Sequence, residues 1–418
     1  MIPLAEAALS FARTRHLSRP GLSRAAFEAA QARTLNRWLS RDLPGVAAYP
    51  RAPARLQDLP VTDKAALMAG FHRYNRAGIT ADQAWAALAA GDRPHGLTVG
   101  CSTGTSGNRG LFVISEAERY RWLGSILPTC MADLLTRPQR VAVVLPRDTR
   151  LYHSARRLPW LDLRFFDVTE GPDRWRAHLE AFAPTVLLAP PRLLRHFAED
   201  RFRLTPLRIF SAAETLDPPD RAVIEGWSGR PLDQIYMATE GLFAATCRHG
   251  GLHLAEDSVF FEFQPAGDGL VAPLVTAFRR ETQIMARYRM NDLLRLADAP
   301  CPCGSPLWHV AEIVGRMDDC FHLPGHVLLT PDTLRNAVLG ASRAITDFRL
   351  IQRAPEEVEL ILPPDLPEED ARAAAGAVEA LLCARGPARL ALTRAPLPLE
   401  PGRKLRRVEC RLPAGPGD

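Results

Sequence analysis

The middle of the chain alternates short, strongly apolar segments with amphipathic ones, and this alternation restricts the fold more than any other feature. The apolar segments between residues 140 and 238 are RVAVVLP, LDLRFFDV, TVLLAP, LRIFSA and LDQIYMA. Helical patterns such as DRWRAHLEAFA and PPDRAVIEGW separate several of them. Buried strands that alternate with helices are typical of a mostly parallel sheet. The sequence therefore predicts an α/β fold.

The regions on either side of this alternation have different patterns. Residues 1–45 carry apolar side chains at helical spacing and predict helices. The segments SVFFEF, GLVAPLVTAF and ARYRMNDLLRL, in residues 257–296, predict antiparallel strands. Further on, FRLIQRAPEEVELIL predicts a hairpin, EEDARAAAGAVEALLCARG a helix and ARLALTRAPL a final strand. We expect a large N-terminal domain of mixed sheets and helices over residues 1–316 and a small, mobile α+β domain over 317–418.

The composition is that of a soluble globular protein. Hydrophobic residues make up 47% and charged residues 24% of the 418 residues. The net charge of +5 is small, and basic residues stand near acidic ones, so we expect no nucleic-acid partner. We expect no membrane partner, because no apolar run has membrane-spanning length. The first residues lack the order of a signal peptide, which predicts a cytoplasmic protein. The oligomeric state is not indicated.

A loop of hydroxyls and glycines, CSTGTSGNRG, lies at residues 101–110 between the apolar segments LTVG and LFVIS. Glycines allow several backbone N–H groups to turn toward one point, and hydroxyls add donors there. Such a loop can hold a phosphate, although a polar hairpin turn is the alternative. It is not a Walker loop, because no Gly-Lys-Ser/Thr follows and a strand is predicted next.

Lysine is almost absent from the chain. Of 52 lysines and arginines, only Lys64 and Lys404 are lysines. A lysine in such a sequence favours a position where a compact ammonium is required and a planar guanidinium is unsuitable. Lys64, in LPVTDKAAL, is explained by a helix start capped by Thr62 or Asp63. Lys404, in PGRKLRRV, is a candidate catalytic residue, with an ordinary basic loop as the alternative.

Four further segments place polar side chains beside predicted strands. They are FSAAETL, YMATEG, RYRMNDLLRL and GRMDD. They contain the aromatic ring of Tyr236 and the carboxylates of Glu240 and Asp292. Taken alone, FSAAETL or YMATEG is explained about equally well as a buried strand end, and GRMDD alone would be a surface turn.

In their order along the chain, these segments resemble the motifs of the adenylate-forming, AMP-binding superfamily of acyl- and aryl-CoA synthetase-like enzymes. CSTGTSGNRG resembles Ser-Gly-Thr-Thr-Gly-x-Pro-Lys-Gly, but has Arg109 and no Pro-Lys. YMATEG resembles Tyr-Gly-x-Thr-Glu, and RYRMND resembles Tyr-Arg-Thr-Gly-Asp. GRMDD resembles the domain hinge, with Asp318 as the pivot, and PGRKLRR resembles Ser-Gly-Lys-x-x-Arg. The resemblance covers nearly the whole chain from LPVTDK onward.

The resemblance implies that these motifs surround one ATP molecule and its Mg²⁺. The Tyr236 ring would pack on adenine, and Asp292 would hold both ribose hydroxyls with its two carboxylate oxygens. Thr239 would meet a phosphate, and the hard oxygen ligands of Glu240 would bind Mg²⁺. Lys404 would bridge the substrate carboxylate and the α-phosphate during catalysis. The residues expected to bind the nucleotide are Ser102, Thr103, Gly104, Thr105, Ser106, Gly107, Ala212, Ala213, Glu214, Tyr236, Asp292 and Arg316.

The implied activity is that of an AMP-forming acid ligase. ATP would activate a carboxylic acid, aryl or acyl, as an adenylate with loss of pyrophosphate. The acyl group would then pass to a thiol such as CoA. One alternative is an enzyme that only adenylates, either a coenzyme or a non-carboxylic acid. The other is a non-catalytic nucleotide-binding protein. The sequence does not identify the acid, although SILPTC, FSAA and MATEGLF are expected to wall its pocket.

Four residues form a candidate metal site. Eight cysteines in a chain expected to be cytoplasmic argue against disulfides. The segment CPCG contains Cys301 and Cys303, and CRHGGLH contains Cys247 and His253, with His249 as a competing ligand. A Cys₃His set suits tetrahedral zinc, and reduced cysteines in turns are the alternative. The short chain and these segments resemble the branch of phenylacetate–CoA ligases and coenzyme F synthetases, some of which have structural zinc here.

Overall fold

The structure, a computed structural model, describes residues 2–102, 109–131, 133–145, 160–238, 241–398 and 404–412. The helices in these ranges are α1 Ile2–Leu17, α2 Arg24–Arg41, α3 Lys64–Ala69, α4 Ala81–Ala90, α5 Glu116–Cys130, α6 Pro172–Phe182, α7 Pro191–Glu199, α8 Pro218–Ser228, α9 Pro331–Ala341 and α10 Glu368–Arg385.

The first ten strands in chain order are β1 Thr98–Cys101, β2 Leu111–Ile114, β3 Gln139–Leu145, β4 Leu161–Asp167, β5 Val186–Ala189, β6 Arg208–Ala212, β7 Leu232–Ala238, β8 Gly241–Thr246, β9 Leu252–Leu254 and β10 Phe260–Pro265. The later strands are β11 Leu270–Thr276, β12 Tyr288–Arg289, β13 Asp292–Leu296, β14 His309–Arg316, β15 Phe321–Leu323, β16 Val327–Leu329, β17 Arg349–Ala354, β18 Glu357–Leu362, β19 Arg389–Arg394 and β20 Val408–Cys410.

The alternating segments form the parallel half of one large sheet, as the sequence predicts. In this half the strand order is β4-β3-β5-β6-β7, and every neighbouring pair is parallel. Side chains on successive positions point to opposite faces. On β3, Val141 and Val143 therefore pack with the apolar side of α5, whereas Ala142 and Val144 pack with α6, α7 and α8. Both faces are covered, which explains the nearly continuous apolar runs.

The pairing changes to antiparallel at β7. Strand β8 pairs antiparallel with β7, and the sheet continues in the order β9, β14, β13, β11 and β10. The antiparallel strands predicted within residues 257–296 are confirmed. Tyr236, on β7, therefore lies between the two halves of the sheet.

The N-terminal helices pack on the outside of the large sheet, in agreement with the helical pattern of residues 1–45. The Ser23 side chain accepts a hydrogen bond from Ala26 N and begins α2. Buried Phe27, Leu35 and Trp38 line one side of α2. The Trp38 indole N–H donates to the Arg280 carbonyl over 2.6 Å, which attaches α2 to the antiparallel half.

A second, smaller sheet follows β14. Its order is β19-β18-β17-β20, and α9 and α10 share an apolar core with it that includes Phe321, Phe348 and Leu382. The predicted hairpin is β17–β18, and the predicted helix is α10. The expectation that β19 is the final strand is wrong, because β20 follows and pairs in parallel with β17. Strand β20 is only three residues long in an arginine-rich segment, and no apolar run marks it.

The small sheet thus has a core separate from that of the large sheet. The domain boundary at residue 316 and the mobility of the smaller domain stay predictions. Among the described residues, no helix combines the length and the apolarity needed to cross a membrane.

Close packing of α1 on α5 requires a glycine. A Cβ at Gly124 would lie 2.2 Å from the Ala7 carbonyl oxygen and 2.8 Å from Ser10 Cβ. Gly124→Ala should therefore lower the free energy of unfolding by about 1–3 kcal/mol in chemical denaturation, because of this overpacking. Alanine's helix preference offsets only part of that, about 1 kcal/mol.

Gly376→Ala is the matched control for this prediction. Gly376 lies within α10, and no atom lies within 4 Å of its added Cβ. This substitution should raise the free energy of unfolding by up to about 1 kcal/mol. Equal stabilisation by both substitutions would contradict the packing of α1 on α5.

Candidate functional site

The base of the predicted phosphate loop is closed by its two ends. Ser102 N donates to the Gly110 carbonyl over 2.8 Å, and Gly110 N donates to Ser102 Oγ over 2.8 Å. Strands β1 and β2 pair antiparallel on either side, which confirms the strand predicted after the loop. Five predicted phosphate-binding residues lie outside the described residues: Thr103, Gly104, Thr105, Ser106 and Gly107.

Lys64 reaches the base of this loop from another part of the chain. It is the first residue of α3, and the Asp63 side chain caps that helix by accepting from Ala66 N over 2.8 Å. A Cβ at Gly110 would lie 3.2 Å from Lys64 Cε and 3.9 Å from Lys64 Nζ. From the sequence, Lys64 is explained by the helix start, and the rarity of lysine is the one signal that could have indicated its position beside the loop.

Tyr236 and Asp292 come from different strands and meet directly. The Tyr236 hydroxyl donates to Asp292 Oδ2 over 2.6 Å. The Tyr236 ring packs against Phe243, with 5.3 Å between ring centroids. Burial raises the pKa of Asp292, while the bond from Tyr236 and the positive charges of Arg316 and Lys404 act in the opposite direction. The two residues predicted to hold the base and the ribose are therefore brought together.

The hinge motif lies beside Asp292. Arg316 ends β14 directly opposite Asp292 on β13, and its guanidinium pairs with Asp318 at 3.2 Å. The Asn291 side chain donates to the Asp318 carboxylate and accepts from Asp318 N over 3.2 Å. The predicted pivot is thus held by the residue that precedes the predicted ribose ligand.

Glu214 is a buried acid at the end of β6. Ala212 ends the strand, and Ala213 turns the chain with a left-handed φ of 71°. The Glu214 side chain is 2% exposed and pairs with Arg192 Nε at 3.0 Å. Burial raises the pKa of Glu214 to about 7, against the positive charges of Arg192 and Lys404 and a hydrogen bond from the Leu405 backbone. No motif in the sequence indicated Arg192.

Lys404 joins this group from the end of the chain. Its side chain is exposed, and its ammonium is near enough to Glu214 and Asp292 to lower the pKa of each. The structure therefore gathers the C-terminal lysine, the ribose motif and the end of β6 in one place. Thr239 and Glu240, predicted to bind phosphate and Mg²⁺, lie outside the described residues.

The predicted metal ligands form a tight cluster elsewhere on the antiparallel half. The donor atoms of Cys247, His253, Cys301 and Cys303 all lie within 4.8 Å of one another. Cys247 Sγ lies 3.7 Å from Cys301 Sγ, and Cys303 Sγ lies 3.2 Å from His253 Nε2. Pairing of β9 with β14 brings the two distant segments together. His253, and not His249, belongs to this group.

The chemistry of the cluster suits a metal. His253 Nδ1 lies 3.1 Å from the Leu307 carbonyl, and a proton on Nδ1 leaves Nε2 free as a ligand. Burial opposes ionisation of Cys247, but hydrogen bonds from His253 and from backbone N–H groups outweigh it and lower its pKa to about 6. A Cβ at Gly251 would lie 2.6 Å from Cys301 Sγ, so a glycine leaves the necessary space.

Solved structures of CoA ligases share the fold of this chain. A 2-hydroxyisobutyryl-CoA ligase in the postadenylation state, in complex with 2-HIB-AMP, overlays with a TM-score of 0.70 at 18% identity, over 95% of this chain and 92% of that chain. The same ligase with 2-HIB-AMP and CoA in the thioesterification state gives 0.54 over the same shares. The anthranilate CoA ligase AuaEII with anthranoyl-AMP gives 0.51 at 16% identity, over 73% of this chain and 64% of that chain. The fold expected from the resemblance is confirmed.

Sequence comparison is less informative. No family model matches the chain. Protein CapK of Staphylococcus aureus is 24% identical over 165 residues, which are 38% of this chain and 37% of that protein. The chain thus spans little more than a third of the length of this curated relative.

Proposed function

We propose that this chain is an ATP-dependent, AMP-forming ligase that adenylates a carboxylic acid and releases pyrophosphate. The observation that carries the proposal is the convergence of Lys404 with the Tyr236–Asp292 pair. A lysine from the last described segment thus lies near a carboxylate at a strand start and an aromatic ring, and these are the groups that a nucleotide's phosphate, ribose and base would contact. The ligases that share the fold are named with acyl-AMP ligands.

We assign each part of ATP to a region of the site on the basis of the contacts described above. The Tyr236 ring would pack against adenine, and Asp292 would accept from the ribose hydroxyls. A carboxylate has about four lone-pair sites, so Asp292 can hold the Tyr236 hydroxyl and the ribose together. The backbone at Ala212, Ala213 and Glu214 would border adenine. The loop that begins at Ser102, with Lys64 beside it, would hold the phosphates.

Adenylation requires charge to be neutralised where two anions approach. A carboxylate oxygen of the acid attacks the α-phosphorus, and the bond from that phosphorus to pyrophosphate breaks. Lys404 would lie between the two anions, where a compact ammonium is effective. Lys64 and Arg316 would face the phosphate groups. Mg²⁺, when bound through Glu240, would neutralise phosphate charge, and Thr239 would contact a phosphate.

A second step would transfer the acyl group to a thiol, with CoA as the proposed acceptor. The thiol sulfur attacks the acyl carbon, the bond from that carbon to AMP breaks, and the thiol proton passes to solvent. The ligase named with 2-HIB-AMP and CoA shares the fold, which favours this acceptor. Residues 317–418 would turn about Asp318 between the two steps. An enzyme that only adenylates lacks this second step.

The acid is proposed to have an apolar body, aryl or acyl. Segments expected to wall its pocket lie in one apolar cluster, which contains residues of α5, β6 and β8. Its members from these elements include Leu123, Ile126, Leu127, Phe210, Ala212 and Leu242, with Met237 beside them. Such surroundings favour an apolar group next to the reacting carboxylate. We place the protein in the phenylacetate–CoA ligase-like branch and in the cytoplasm as parts of the same proposal.

A structural zinc ion is proposed for the cluster of Cys247, His253, Cys301 and Cys303. Four protein ligands fill a tetrahedral site and leave no position for water or substrate. The ion would join the β8–β9 turn to the loop before β14. Its role would therefore be in folding.

The function is tested by pyrophosphate release from ATP and Mg²⁺ with aryl, hydroxy, short-chain and long-chain acids, with and without CoA. Lys404→Ala should reduce the rate by about 10²–10³-fold, the usual effect of losing one such transition-state contact. Lys404→Arg should also be poor, because a planar fork does not replace a point charge. Release by Lys404→Ala within threefold of the wild type would contradict the assignment.

Asp292→Ala should weaken ATP binding, measured by calorimetry, because the ribose loses its acceptor. A hydrogen bond to a charged group contributes roughly 1.5–3 kcal/mol, which corresponds to a rise in Kd of about 10–150-fold. Asp298→Ala removes an exposed carboxylate on the loop after β13 and should leave the Kd unchanged. Equal Kd values for the two variants would exclude the ribose contact.

Purified protein should contain about one zinc ion per chain by elemental analysis. Cys303→Ser should lower the zinc content and the melting temperature together, because binding free energy of a structural metal is folding free energy. Cys383→Ser, at an exposed cysteine of α10, is the control and should change neither. Metal-free wild-type protein with an unchanged melting temperature would reject the site.

A further inference from the structure

A buried cluster of charges joins the edge of the small sheet to the start of α8. Arg407 is 4% exposed, and Asp220 is completely buried. The two guanidinium Nη atoms of Arg407 bind the two oxygens of Asp220 over 2.6 and 2.9 Å. Arg407 also donates to Asp217, the residue that caps α8, and its Nε donates to Asp347 over 3.0 Å.

Arg407 spans two parts of the molecule. Its carbonyl accepts from Leu350 N over 2.7 Å, and β20 begins at the next residue, so its backbone is held by the small sheet. Asp217 and Asp220 lie on α8, which packs on the large sheet. The side chain of one residue thus connects the small sheet to the parallel half.

Both acids keep a second arginine. Arg195 Nη1 lies 3.1 Å from Asp220 Oδ1, and Arg335 Nη1 lies 3.2 Å from Asp217 Oδ1. Removing Arg407 therefore leaves neither carboxylate without a counter-charge. The substitution removes only the side-chain link from Asp217 and Asp220 to the segment at residues 404–412. Its effect therefore reports on the position of this segment and not on unpaired buried charges.

Lys404 stands three residues before Arg407. An extended chain advances about 3.3 Å per residue, so the two Cα atoms are at most about 10 Å apart. The intervening Leu405 backbone bonds to Glu214. We call the contact of the two Arg407 Nη atoms with the Asp220 carboxylate the Arg407 fork. While this contact is made, the short segment keeps Lys404 near Glu214 and Asp292.

We propose that Arg407 is a positioning residue for adenylation: its fork to Asp220 and Asp217 holds Lys404 at the nucleotide. This inference rests on the proposed function. Buried ion pairs add little net stability compared with apolar packing, and an interface made of them can separate without exposing a large apolar surface. The fork therefore suits a contact that closes for adenylation and opens before transfer to the thiol. The closer overlay with a postadenylation state than with a thioesterification state agrees with a closed fork in this structure.

The test separates the two half-reactions in the full-length protein. Adenylation is followed as pyrophosphate release with ATP, Mg²⁺ and phenylacetate, benzoate, 2-hydroxyisobutyrate or octanoate. The acid that the wild type uses fastest is then supplied as its synthetic adenylate with CoA, and thioester formation is measured. Variants are Arg407→Ala, Arg407→Lys and Asp220→Asn. The matched control is Arg411→Ala, since Arg411 is 41% exposed and bonds Glu409 over 2.8 Å within the same segment.

Arg407→Ala should lower kcat for adenylation by up to about 100-fold, the effect of displacing a catalytic group by about 1 Å. The KM for ATP and the rate from the synthetic adenylate should stay within threefold of the wild type. Arg407→Lys should restore part of the adenylation rate, because it keeps the charge but lacks the fork. Arg411→Ala should change neither half-reaction.

An equal fall in both half-reactions, or unchanged adenylation by Arg407→Ala in an active wild-type background, overturns this inference alone. A wild type that releases no pyrophosphate with any of the four acids overturns the proposed function and this inference with it. If Arg407→Ala does not unfold cooperatively, this variant is not properly folded and its rates are not used. The two half-reactions are then compared in Arg407→Lys and Asp220→Asn instead. If the wild type adenylates an acid but does not use CoA, only the adenylation assay applies. A fall in kcat for Arg407→Ala at constant KM for ATP then supports the inference, and an unchanged kcat overturns it.

Discussion

Strand β7 pairs in parallel with β6 and antiparallel with β8, and the candidate site depends on this reversal. A parallel sheet brings the carboxyl ends of its strands to one edge, where ligands of α/β proteins bind. The reversal at β7 adds the strands of the antiparallel half to that edge. Tyr236 can then bond Asp292 of β13, and Ala212 of β6 lies on the other side. Without the reversal, Tyr236 and Asp292 would belong to different regions of the molecule.

Burial and nearby cations together set the pKa values of the two acids at the site. Glu214 and Asp292 have raised pKa values because burial disfavours their ionised forms, and cations nearby act against this effect. In a chain that uses arginine almost everywhere, both lysines lie next to predicted nucleotide-binding segments. Arginine makes the fixed buried ion pairs of the structure, such as Arg192 with Glu214 and the two-atom contact of Arg407 with Asp220. The two lysines, each with a compact charge on a flexible stem, lie where we expect an anionic ligand to bind.

The sequence predicted the parallel strands and the antiparallel strands within residues 257–296 because apolar runs and helix periods are local signals, although it did not indicate the reversal at β7. It also predicted the Cys₃His cluster and the meeting of Lys404 with Asp292, through motifs with recognisable residue types. It did not predict Arg192, the contact of Lys64 with the loop, or β20. These depend on tertiary contacts between segments far apart in the chain. In β20 only Val408 is buried among charged neighbours, so hydrophobicity could not indicate a strand.

Strand β14 physically connects the cysteine cluster to the hinge. It begins at His309, which pairs with His253 on β9, and it ends at Arg316, which pairs with Asp292. Eight residues at ~3.3 Å each give a strand of about 25 Å, hydrogen-bonded to β13 along most of its length. A metal at one end would fix the strand, and the pivot at the other end would then turn against a rigid support. A structural ion far from the chemistry can therefore serve catalysis by holding the base of the moving part in place.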